Sequence, residues 1–240
     1  MQRLKGKTSS WEIYSDIKCR SPLMVRADGR GFKKLLEGCK KPYDVGFARS
    51  MIEAAVSLFQ ESGLSPALAF TFSDEVSVLF MEAPFSGRVE KIDSLIAGFL
   101  SASLSLRLGR AVSMDCRVIP LCESEITQYL AERQDETWRN HVFSYGFYML
   151  VDEGFSTTKA MERLRGMREH EIHEIVFQKG TNLAKTPAWE RRGVMVYRRD
   201  GQVTQEWELP TFRSEEGQRL LEEIIKKPEP GKRCRSTNKL

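Results

Sequence analysis

The order of the secondary-structure signals constrains this sequence more than any other feature. Between residues 23 and 119, apolar strand-like runs and amphipathic helical segments follow one another in the order β-α-β-β-α-β. That order is typical of the ferredoxin-like unit, whose four strands form one antiparallel sheet with the helices on one face. The predicted strands span residues 23–27, 67–72, 76–80 and 112–119, and the predicted helices span residues 47–61 and 88–108. We therefore predict an α+β fold built on this unit.

The second half of the sequence is mostly helical and extends this unit. Helical patterns occur at residues 123–134, 136–151, 156–166, 167–178 and 214–227. The dipeptide Asp200-Gly201 predicts the turn of a β-hairpin between residues 194–197 and 203–207. We divide the chain into a catalytic region (1–135), an accessory region (136–227) and a basic tail that we expect to be disordered (228–240).

Composition narrows the classes of protein that fit. The sequence has no apolar window long enough to span a membrane and no secretory signal, so we expect a cytoplasmic protein. Its five cysteines include no Cys-x-x-Cys pair, which argues against a zinc knuckle or a disulfide scaffold. The net charge is only +4, but basic residues cluster in the second half. This clustering suggests a polyanionic partner such as RNA, the alternative being an ordinary solvated surface.

Two carboxylates stand at positions that the predicted sheet would bring together. Asp28 ends the first strand, and Asp74 lies in the turn between the second and third strands. Both should lie at one edge of the sheet, as the carboxylates do in the palm of nucleic-acid polymerases. Two close carboxylates repel each other unless a cation lies between them, and Mg²⁺ prefers oxygen ligands. We predict two Mg²⁺ ions bound by Asp28, the Gly29 carbonyl and Asp74, the alternative being that both aspartates only form turns.

The residues that follow Asp28 are suited to binding phosphate. Gly29 and Gly31 allow main-chain N–H groups in the segment Asp28–Lys33 to approach a phosphate closely. Phe32 could stack on a base or fill the core, and Ser73 could bond to a nucleotide or support its own turn. The sequence contains neither a Walker pattern nor Gly-x-Gly-x-x-Gly, which argues against P-loop and Rossmann sites.

Basic and histidine side chains supply further candidates. Arg88 and Lys91 are three residues apart at the predicted start of the second helix, where they would suit a triphosphate clamp or form a solvated first turn. His170 and His173 share a helical face, but the sequence places no third ligand near them, so we do not predict a metal site there. No nucleophile motif such as Gly-x-Ser-x-Gly occurs, so covalent catalysis is not supported.

Two motifs together resemble the tRNA-histidine guanylyltransferase family. They are Arg-Ala-Asp-Gly-Arg-Gly-Phe-Lys at residues 26–33 and Phe-Ser-Asp-Glu-Val-Ser at residues 72–77, and the resemblance extends through 138–141 and 177–180 to about residue 198. Members of this family have a palm-like catalytic region, form tetramers and add nucleotides to the 5′ end of tRNA. The resemblance therefore implies tRNA, GTP and ATP as partners, a homotetramer arranged as a dimer of dimers, and an accessory region that binds tRNA or forms the oligomer.

The resemblance also assigns residues. It implies metal binding by Asp28, Gly29 and Asp74, and nucleotide binding by Asp28, Gly29, Arg30, Gly31, Phe32, Lys33, Ser73 and Asp74. Glu75 matches an acidic residue of the family and is a third catalytic candidate, while Arg88 and Lys91 match its triphosphate-binding residues. The candidates for contacts with tRNA, chosen on charge and position, are Arg139, Asn140, Lys185, Arg191, Arg192, Arg198 and Arg199. His141 is a further candidate, the alternative being a place in the core.

One motif departs from the eukaryotic branch of the family. That branch carries His-Ile-Asn-Asn-Leu-Tyr-Asn where residues 138–144 read Trp-Arg-Asn-His-Val-Phe-Ser. The sequence is more similar to the archaeal and bacterial branch, which repairs 5′-truncated tRNAs. We therefore expect a template-dependent 3′–5′ nucleotidyltransferase that activates a 5′-monophosphate with ATP. The alternatives are a strict tRNA(His) guanylyltransferase, a palm-fold nucleotide cyclase and a non-catalytic tRNA-binding protein.

Overall fold

The computed structural model describes residues 11–225, which form a six-stranded antiparallel sheet and its flanking helices. The strands are β1 (Leu23–Gly29), β2 (Leu68–Phe72), β3 (Glu75–Phe80), β4 (Met114–Pro120), β5 (Val194–Arg199) and β6 (Gln202–Glu206). The helices are α1 (Phe32–Leu35), α2 (Val45–Gln60), α3 (Val89–Leu108), α4 (Ile126–Asp152), α5 (Thr157–Leu164), α6 (Glu169–Gln178), α7 (Ala188–Arg192) and α8 (Glu215–Ile225). Short 3-10 turns span Leu36–Gly38, Pro84–Gly87, Glu123–Glu125 and Leu183–Lys185.

The strands lie across the sheet in the order β4-β1-β3-β2-β5-β6. The first four have the order of the ferredoxin-like unit, which confirms the predicted α+β fold class. At the centre, Val25 pairs with Val78 on one side and with Val118 on the other. The predicted hairpin, β5–β6, extends the sheet beyond β2. Its turn residues Asp200 and Gly201 both have positive φ angles, 52° and 79°, which suits a tight two-residue turn.

One face of the sheet packs against α2 and α3, as the ferredoxin-like unit predicts. Because side chains alternate along a strand, Leu23, Val25 and Ala27 of β1 all point toward these helices. They are buried together with Met51 of α2 and Ile96 of α3. Burying an aliphatic side chain of this size contributes about 1.5–3 kcal/mol. This cluster therefore fixes the strand that carries Asp28.

The opposite face of the sheet is covered by the second half of the chain. Met24 of β1 and Leu79 of β3 pack there with Ile126 and Leu130 of α4 and with Leu221 of α8. The sequence placed helices in this half but did not predict where they would dock. The accessory region therefore completes the core of the sheet as well as extending it.

Helix α4 is a single element of 27 residues. The prediction of two helices, 123–134 and 136–151, was wrong because Asp135 and Glu136 are ordinary helical residues, paired with Arg213 and Arg139. The second half of α4 packs with α5 and α6 in a separate apolar cluster. The boundary that we predict between the catalytic and accessory regions thus falls inside one helix.

The basic tail predicted for residues 228–240 lies outside the described residues. Between residues 11 and 225, no helix is both long enough and apolar enough to cross a membrane. In the same part of the chain, Cys19, Cys39, Cys116 and Cys122 are free thiols.

Candidate metal and nucleotide site

The structure brings Asp28 and Asp74 to the same end of the sheet. Strands β1 and β3 are antiparallel neighbours, and Asp28 pairs in register with Glu75, the residue after Asp74. The main-chain N–H of Gly29 donates a hydrogen bond of 3.1 Å to the Asp74 carbonyl, which closes the gap between β1 and the β2–β3 turn. The side chain of Asp28 lies on the same face as that of Met24, but beyond the apolar part of that face.

The environment of Asp74 favours a cation. Burial raises the pKa of its carboxyl, and the negative charge of Asp28 raises it further. The Ser73 hydroxyl donates a hydrogen bond of 3.2 Å to Asp74 Oδ1, which offsets part of this effect. A divalent cation bound to both carboxylates would relieve the repulsion between them.

The donor groups fit a magnesium ion that keeps part of its own shell. Within residues 11–225, no group of three or more His, Cys, Asp or Glu side chains is arranged to hold a metal. Magnesium is commonly bound through one or two carboxylates, with water and substrate phosphates as the other ligands. Asp28, Asp74 and the Gly29 carbonyl suit that pattern. They are too few to form a site in which protein groups supply every ligand of the cation.

Two arginines that the sequence did not predict lie beside Asp28. Arg117 of β4 places Nη2 at 2.9 Å from Asp28 Oδ2, and Arg26 of β1 places Nε at 3.6 Å from the same oxygen. The register of β1 and β4 pairs Arg26 with Arg117 directly, which brings both guanidinium groups to one carboxylate. They offset part of the negative charge at this end of the sheet.

Glu75, the third catalytic candidate, has a different environment from the two aspartates. Arg133 of α4 binds both of its carboxylate oxygens, at 2.9 Å and 2.5 Å. The Ser77 hydroxyl donates a further bond of 3.1 Å to Glu75 Oε1. The carboxylate oxygens of Glu75 are therefore already bonded to donor groups of the protein, next to Asp74 in the chain and in register with Asp28.

Only some groups of the predicted phosphate-binding segment, residues 28–33, are available to bind a phosphate. The Arg30 N–H donates to the Ser113 carbonyl at 2.9 Å, while Gly31 has a φ of 72° and leads into the short helix α1. Phe32 is buried in the core and meets Phe47 edge to face, with 6.0 Å between the ring centroids. Of the two roles considered for this side chain, the structure therefore favours filling the core over stacking on a base. Lys33 is exposed.

Gly29 has no room for a side chain. A Cβ added there would lie 2.5 Å from the buried Phe32 ring. We predict that Gly29→Ala destabilises the protein by about 1–3 kcal/mol through overpacking, measured by urea unfolding. Gly38→Ala is the matched control, because a Cβ at Gly38 would meet nothing within 4 Å. Equal stability of the two variants would contradict the prediction.

A cavity of about 260 Å³ lies beside Ser73, between α2, the β2–β3 turn and α4. Its polar lining includes Lys40, Tyr43, Asp44, Asn140 and Glu190. The sequence did not predict this cavity, because its lining comes from segments that are far apart in the chain. Its position next to Asp74 makes it a candidate site for the base or sugar of a nucleotide.

The carboxylates of the cavity differ in how they are held. Asp44 caps α2, and main-chain N–H bonds from Phe47 and Lys40, both 2.9 Å, lower the pKa of its carboxyl. Burial raises the pKa of the Glu190 carboxyl, although Tyr145 donates a hydrogen bond of 2.7 Å to Oε2. Glu190 is therefore the carboxylate with more capacity to accept a bond from a ligand.

His141 is fully buried beside this cavity. Its ring stacks on Tyr43, with 5.6 Å between centroids, and on Trp138, with 5.7 Å. Its Nε2 lies 3.0 Å from the Thr186 hydroxyl. The predicted contact between His141 and tRNA was wrong because the exposed fraction of this side chain is 0%. Burial, followed by the charge of Arg191, lowers the pKa of His141 to about 4.

This pKa shift makes the free energy of unfolding depend on pH. The unfolded value is 6.5 and the folded value about 4, so the unfolded chain binds the proton first as the pH falls. The contribution of neutral His141 to the free energy of unfolding is complete above pH 6.5 and is lost as the pH falls toward 4. Over this range the free energy of unfolding falls by up to about 1.4 kcal/mol per pH unit. We predict that His141→Gln reduces this slope in urea unfolding. Identical slopes for both proteins would contradict the prediction.

Arg88 and Lys91 lie far from the two aspartates. Strand β3 runs away from Asp74, so α3, which follows it, begins at the opposite end of the sheet. There the main chain of Arg88 pairs with that of Lys18 in an isolated antiparallel β-bridge, and Lys91 Nζ lies 4.8 Å from the ring centroid of Phe85. The length of β3 separates the two ends by roughly 20 Å. Arg88 and Lys91 therefore cannot reach a triphosphate held at Asp28 of the same chain, and their binding of a triphosphate stays a prediction.

The other basic candidates do not form one surface. Arg191, Arg192 and Arg198 donate to the carbonyls of Thr186, Leu209 and Phe59, respectively. Arg199 lies over the Tyr197 ring, and both Arg198 and Arg199 are at the end of β5 away from Asp74. Arg139 pairs with Glu136. Asn140 lines the cavity, and Lys185 is exposed. Contacts between these residues and tRNA stay predictions.

Comparisons with known proteins agree with this architecture. Residues 6–130 match the family profile described as tRNAHis guanylyltransferase, and residues 124–237 match the Thg1 C-terminal domain. The chain is 27% identical over 210 residues to tRNA(His) guanylyltransferase 1 of Arabidopsis thaliana, covering 81% of this chain and 37% of that protein. It is 29% identical over 192 residues to a probable tRNA(His) guanylyltransferase of Drosophila melanogaster, covering 74% and 67%. The chain thus spans only 37% of the length of the Arabidopsis protein.

Two solved structures share the fold. A bacterial tRNA(His) guanylyltransferase (Thg1)-like protein in complex with ATP superimposes with a TM-score of 0.76 at 22% identity, covering 90% of this chain and 96% of that one. A bacterial Thg1-like protein in complex with GTP gives 0.65 at 21% identity, covering 90% and 95%. Because the two family profiles together extend from residue 6 to residue 237, the chain belongs to the tRNAHis guanylyltransferase (Thg1) family of nucleotidyltransferases.

Proposed function

We propose that this protein is a template-dependent 3′–5′ nucleotidyltransferase that adds nucleotides to the 5′ end of tRNA. The observation that carries the proposal is the convergence of Asp28 and Asp74 at one end of a palm-like sheet, directly beside a cavity lined by polar groups. Membership of the Thg1 family supplies the class of reaction and the class of substrate.

Two magnesium ions are the expected cofactors, bound by Asp28, Asp74 and the Gly29 carbonyl. When bound, they would lower the pKa of the attacking hydroxyl and neutralise charge on the leaving group. Asp28 and Asp74 would hold and orient them, and the hydrogen bond from Gly29 N–H to the Asp74 carbonyl keeps the two carboxylates in register. The chain supplies position and charge, and no protein nucleophile is needed.

The nucleotide would lie with its phosphates near Asp28 and its base in the cavity beside Ser73. Glu190 and Asn140 line that cavity. A carboxylate and an amide oxygen can both accept hydrogen bonds from the N–H groups at the edge of guanine. Tyr43 and Trp189 also line the cavity and supply apolar surface against which a purine ring could pack.

The reaction would occur in two steps. An oxygen of the 5′-monophosphate of tRNA attacks the α-phosphorus of ATP, which releases pyrophosphate and leaves an adenylylated 5′ end. The 3′-hydroxyl of the incoming nucleotide then attacks the 5′-phosphorus and displaces AMP. A tRNA with a 5′-triphosphate would omit the first step and release pyrophosphate in the second.

The proposed substrates are tRNAs with truncated 5′ ends. Trp138 stands where the eukaryotic motif begins with histidine, and this departure favours repair of 5′-truncated tRNAs over strict addition of one guanylate to tRNA(His). The family resemblance also supports a cytoplasmic homotetramer. Size-exclusion chromatography with light scattering measures the number of subunits directly.

The test uses radiolabelled GTP, ATP and Mg²⁺ with tRNA that lacks its first nucleotide. Templated repair predicts labelling that follows the opposing base, so a C-to-A change in that base should abolish guanylate addition. Strict tRNA(His) activity predicts labelling of that tRNA regardless of the template. No labelling of any tRNA by the wild-type protein would reject the proposed function, and a cyclic nucleotide formed without RNA would favour the cyclase alternative.

A further inference from the structure

We propose that Arg133 is a positioning residue that holds the turn carrying Asp74 in its working place. Arg133 belongs to α4 and binds Glu75, the residue after Asp74, and the resemblance to the family assigns it no role. Its effect on the reaction rests on the proposed function. The effect of Arg133 on the position of the turn is independent of the proposed function, and the position of the turn and the reaction can be measured separately.

Arg133 contacts both residues that close the turn. The turn consists of Ser73 and Asp74, and Phe72 pairs with Glu75 across its base. Arg133 Nε and Nη2 bind the two oxygens of Glu75 at 2.9 Å and 2.5 Å. The same guanidinium lies 5.5 Å from the centroid of the Phe72 ring. One side chain therefore holds both ends of the two-residue loop.

The turn needs such support because its own conformation is unfavourable. Ser73 has a φ of 51°, in the left-handed region that a non-glycine residue rarely adopts. A residue held in that region persists only where its surroundings impose it. The Thr71 hydroxyl donates a hydrogen bond of 2.8 Å to the Glu75 carbonyl and so also holds the two strands together at the base of the turn.

Helix α4 is itself firmly held at this point. The next residue, Gln134, is buried, and its amide NH₂ donates to the carbonyls of Arg192 and Pro210 at 3.2 Å and 3.1 Å. Its carbonyl oxygen accepts a bond of 2.7 Å from Phe212 N–H. Arg133 thus projects from a backbone that is fixed by the second half of the chain, so the turn takes its position from that half.

Net stability alone does not account for this ion pair. The side chains of Arg133 and Glu75 are only 17% and 9% exposed. Removing two charges from water costs about as much as their attraction returns, and apolar replacements are often neutral or stabilising. What the pair provides is a fixed two-pronged geometry directly beside Asp74 and in register with Asp28.

The experiment compares Arg133→Ala, Arg133→Lys, Glu75→Gln and the double variant with wild type. Glu132→Ala is the matched control, because Glu132 is exposed on the same helix and bonds only to Gln128 among the contacts found in residues 11–225. Hydrogen exchange of peptides covering residues 68–80 reports the turn. Mn²⁺ binding followed by electron paramagnetic resonance reports the carboxylates, and RNA labelling reports the reaction.

We expect Arg133→Ala to speed exchange at the turn about tenfold, and its melting temperature to fall because the Glu75 carboxylate is left buried without its partner. Mn²⁺ affinity should fall about tenfold, and kcat should fall about 100-fold with KM for tRNA unchanged. Methylguanidinium should restore part of kcat to Arg133→Ala and none to Glu132→Ala. The double variant should be no worse than either single variant, because both remove the same contact.

Unchanged exchange at residues 68–80 in every variant would overturn the proposal, as would losses that multiply in the double variant. If Arg133→Ala does not fold, Arg133→Lys and Glu75→Gln decide the question, because each keeps the side-chain volume and loses the two-pronged contact. If wild type labels no RNA, the proposed function fails, and the exchange data still decide the role of Arg133.

Discussion

Asp74→Asn is expected to abolish nucleotide addition and, at the same time, to raise the melting temperature of the metal-free protein. The loss of activity follows from the loss of one of the two carboxylates proposed to bind the cation, and we expect it to be about a thousandfold or more. The gain in stability follows from burial, which raises the pKa of the Asp74 carboxyl, and from the charge of Asp28, which raises it further. An amide at this position has no charge to bury.

The sign of the pH dependence gives this prediction a second test. Because the folded pKa of Asp74 lies above the unfolded value of 3.8, the folded state binds the proton more tightly between the two values. Wild-type stability therefore falls as the pH rises through this window, and Asp74→Asn lacks that loss. The variant should match wild type at acid pH and exceed it above the folded pKa, where each kcal/mol raises Tm by about 2–4 °C.

Asp115→Asn is the matched control for this experiment. Asp115 is an exposed carboxylate that pairs in register with Asp28 from the other side, through β4. Its replacement should leave activity within about threefold of wild type, because surface ion pairs contribute little. An active Asp74→Asn, or one that binds Mn²⁺ as wild type does, would reject the metal assignment.

Ala48→Trp should block nucleotide binding while leaving the metal site intact. Ala48 lines the cavity of about 260 Å³ beside Ser73, and an indole ring there would occupy much of the space that a base needs. We expect the Kd for GTP, measured by calorimetry without RNA, to rise about 100-fold. Mn²⁺ affinity should not change, because Asp28 and Asp74 are not among the residues that line this cavity.

Arg49→Trp controls for the added bulk. Arg49 is the next residue of α2, is exposed and does not line the cavity. Its Kd for GTP should equal that of wild type. Tight GTP binding by Ala48→Trp would show that the base lies elsewhere, and the cavity would then need another explanation.

The two aspartates could be predicted from sequence because their convergence depends only on strand order. Once residues 23–119 are read as β-α-β-β-α-β, the end of β1 and the β2–β3 turn must lie at one edge. Strand order also decides where Arg88 and Lys91 lie. A helix that follows β3 must start where β3 ends, which is the edge opposite Asp74.

Other parts of the site depend on contacts that a pattern does not reveal. Arg133 and Glu75 are 58 residues apart in the chain, and nothing in the sequence marks them as partners. His141 has the polarity of a surface residue, but it is enclosed between Trp138, one turn earlier on the same helix, and Tyr43 from a distant segment. The cavity likewise exists only because α2, α4 and α7 meet. Local periodicity predicts elements well, whereas these meetings depend on tertiary packing.

The continuity of α4 sets a rotational relation between the two halves of the protein. Its first turns pack on the sheet, and its later turns carry the cluster formed with α5 and α6. Each residue of an α-helix advances the direction of the next side chain by about 100°. Inserting or deleting a single residue between Thr137 and Val142 would therefore rotate the cluster formed with α5 and α6 around the helix axis by about 100°. An insertion of seven residues, roughly two turns, would nearly restore its direction while moving it about 10 Å along the axis. The number of residues in this helix thus sets which surface of the cluster formed with α5 and α6 faces the end of the sheet that carries Asp28.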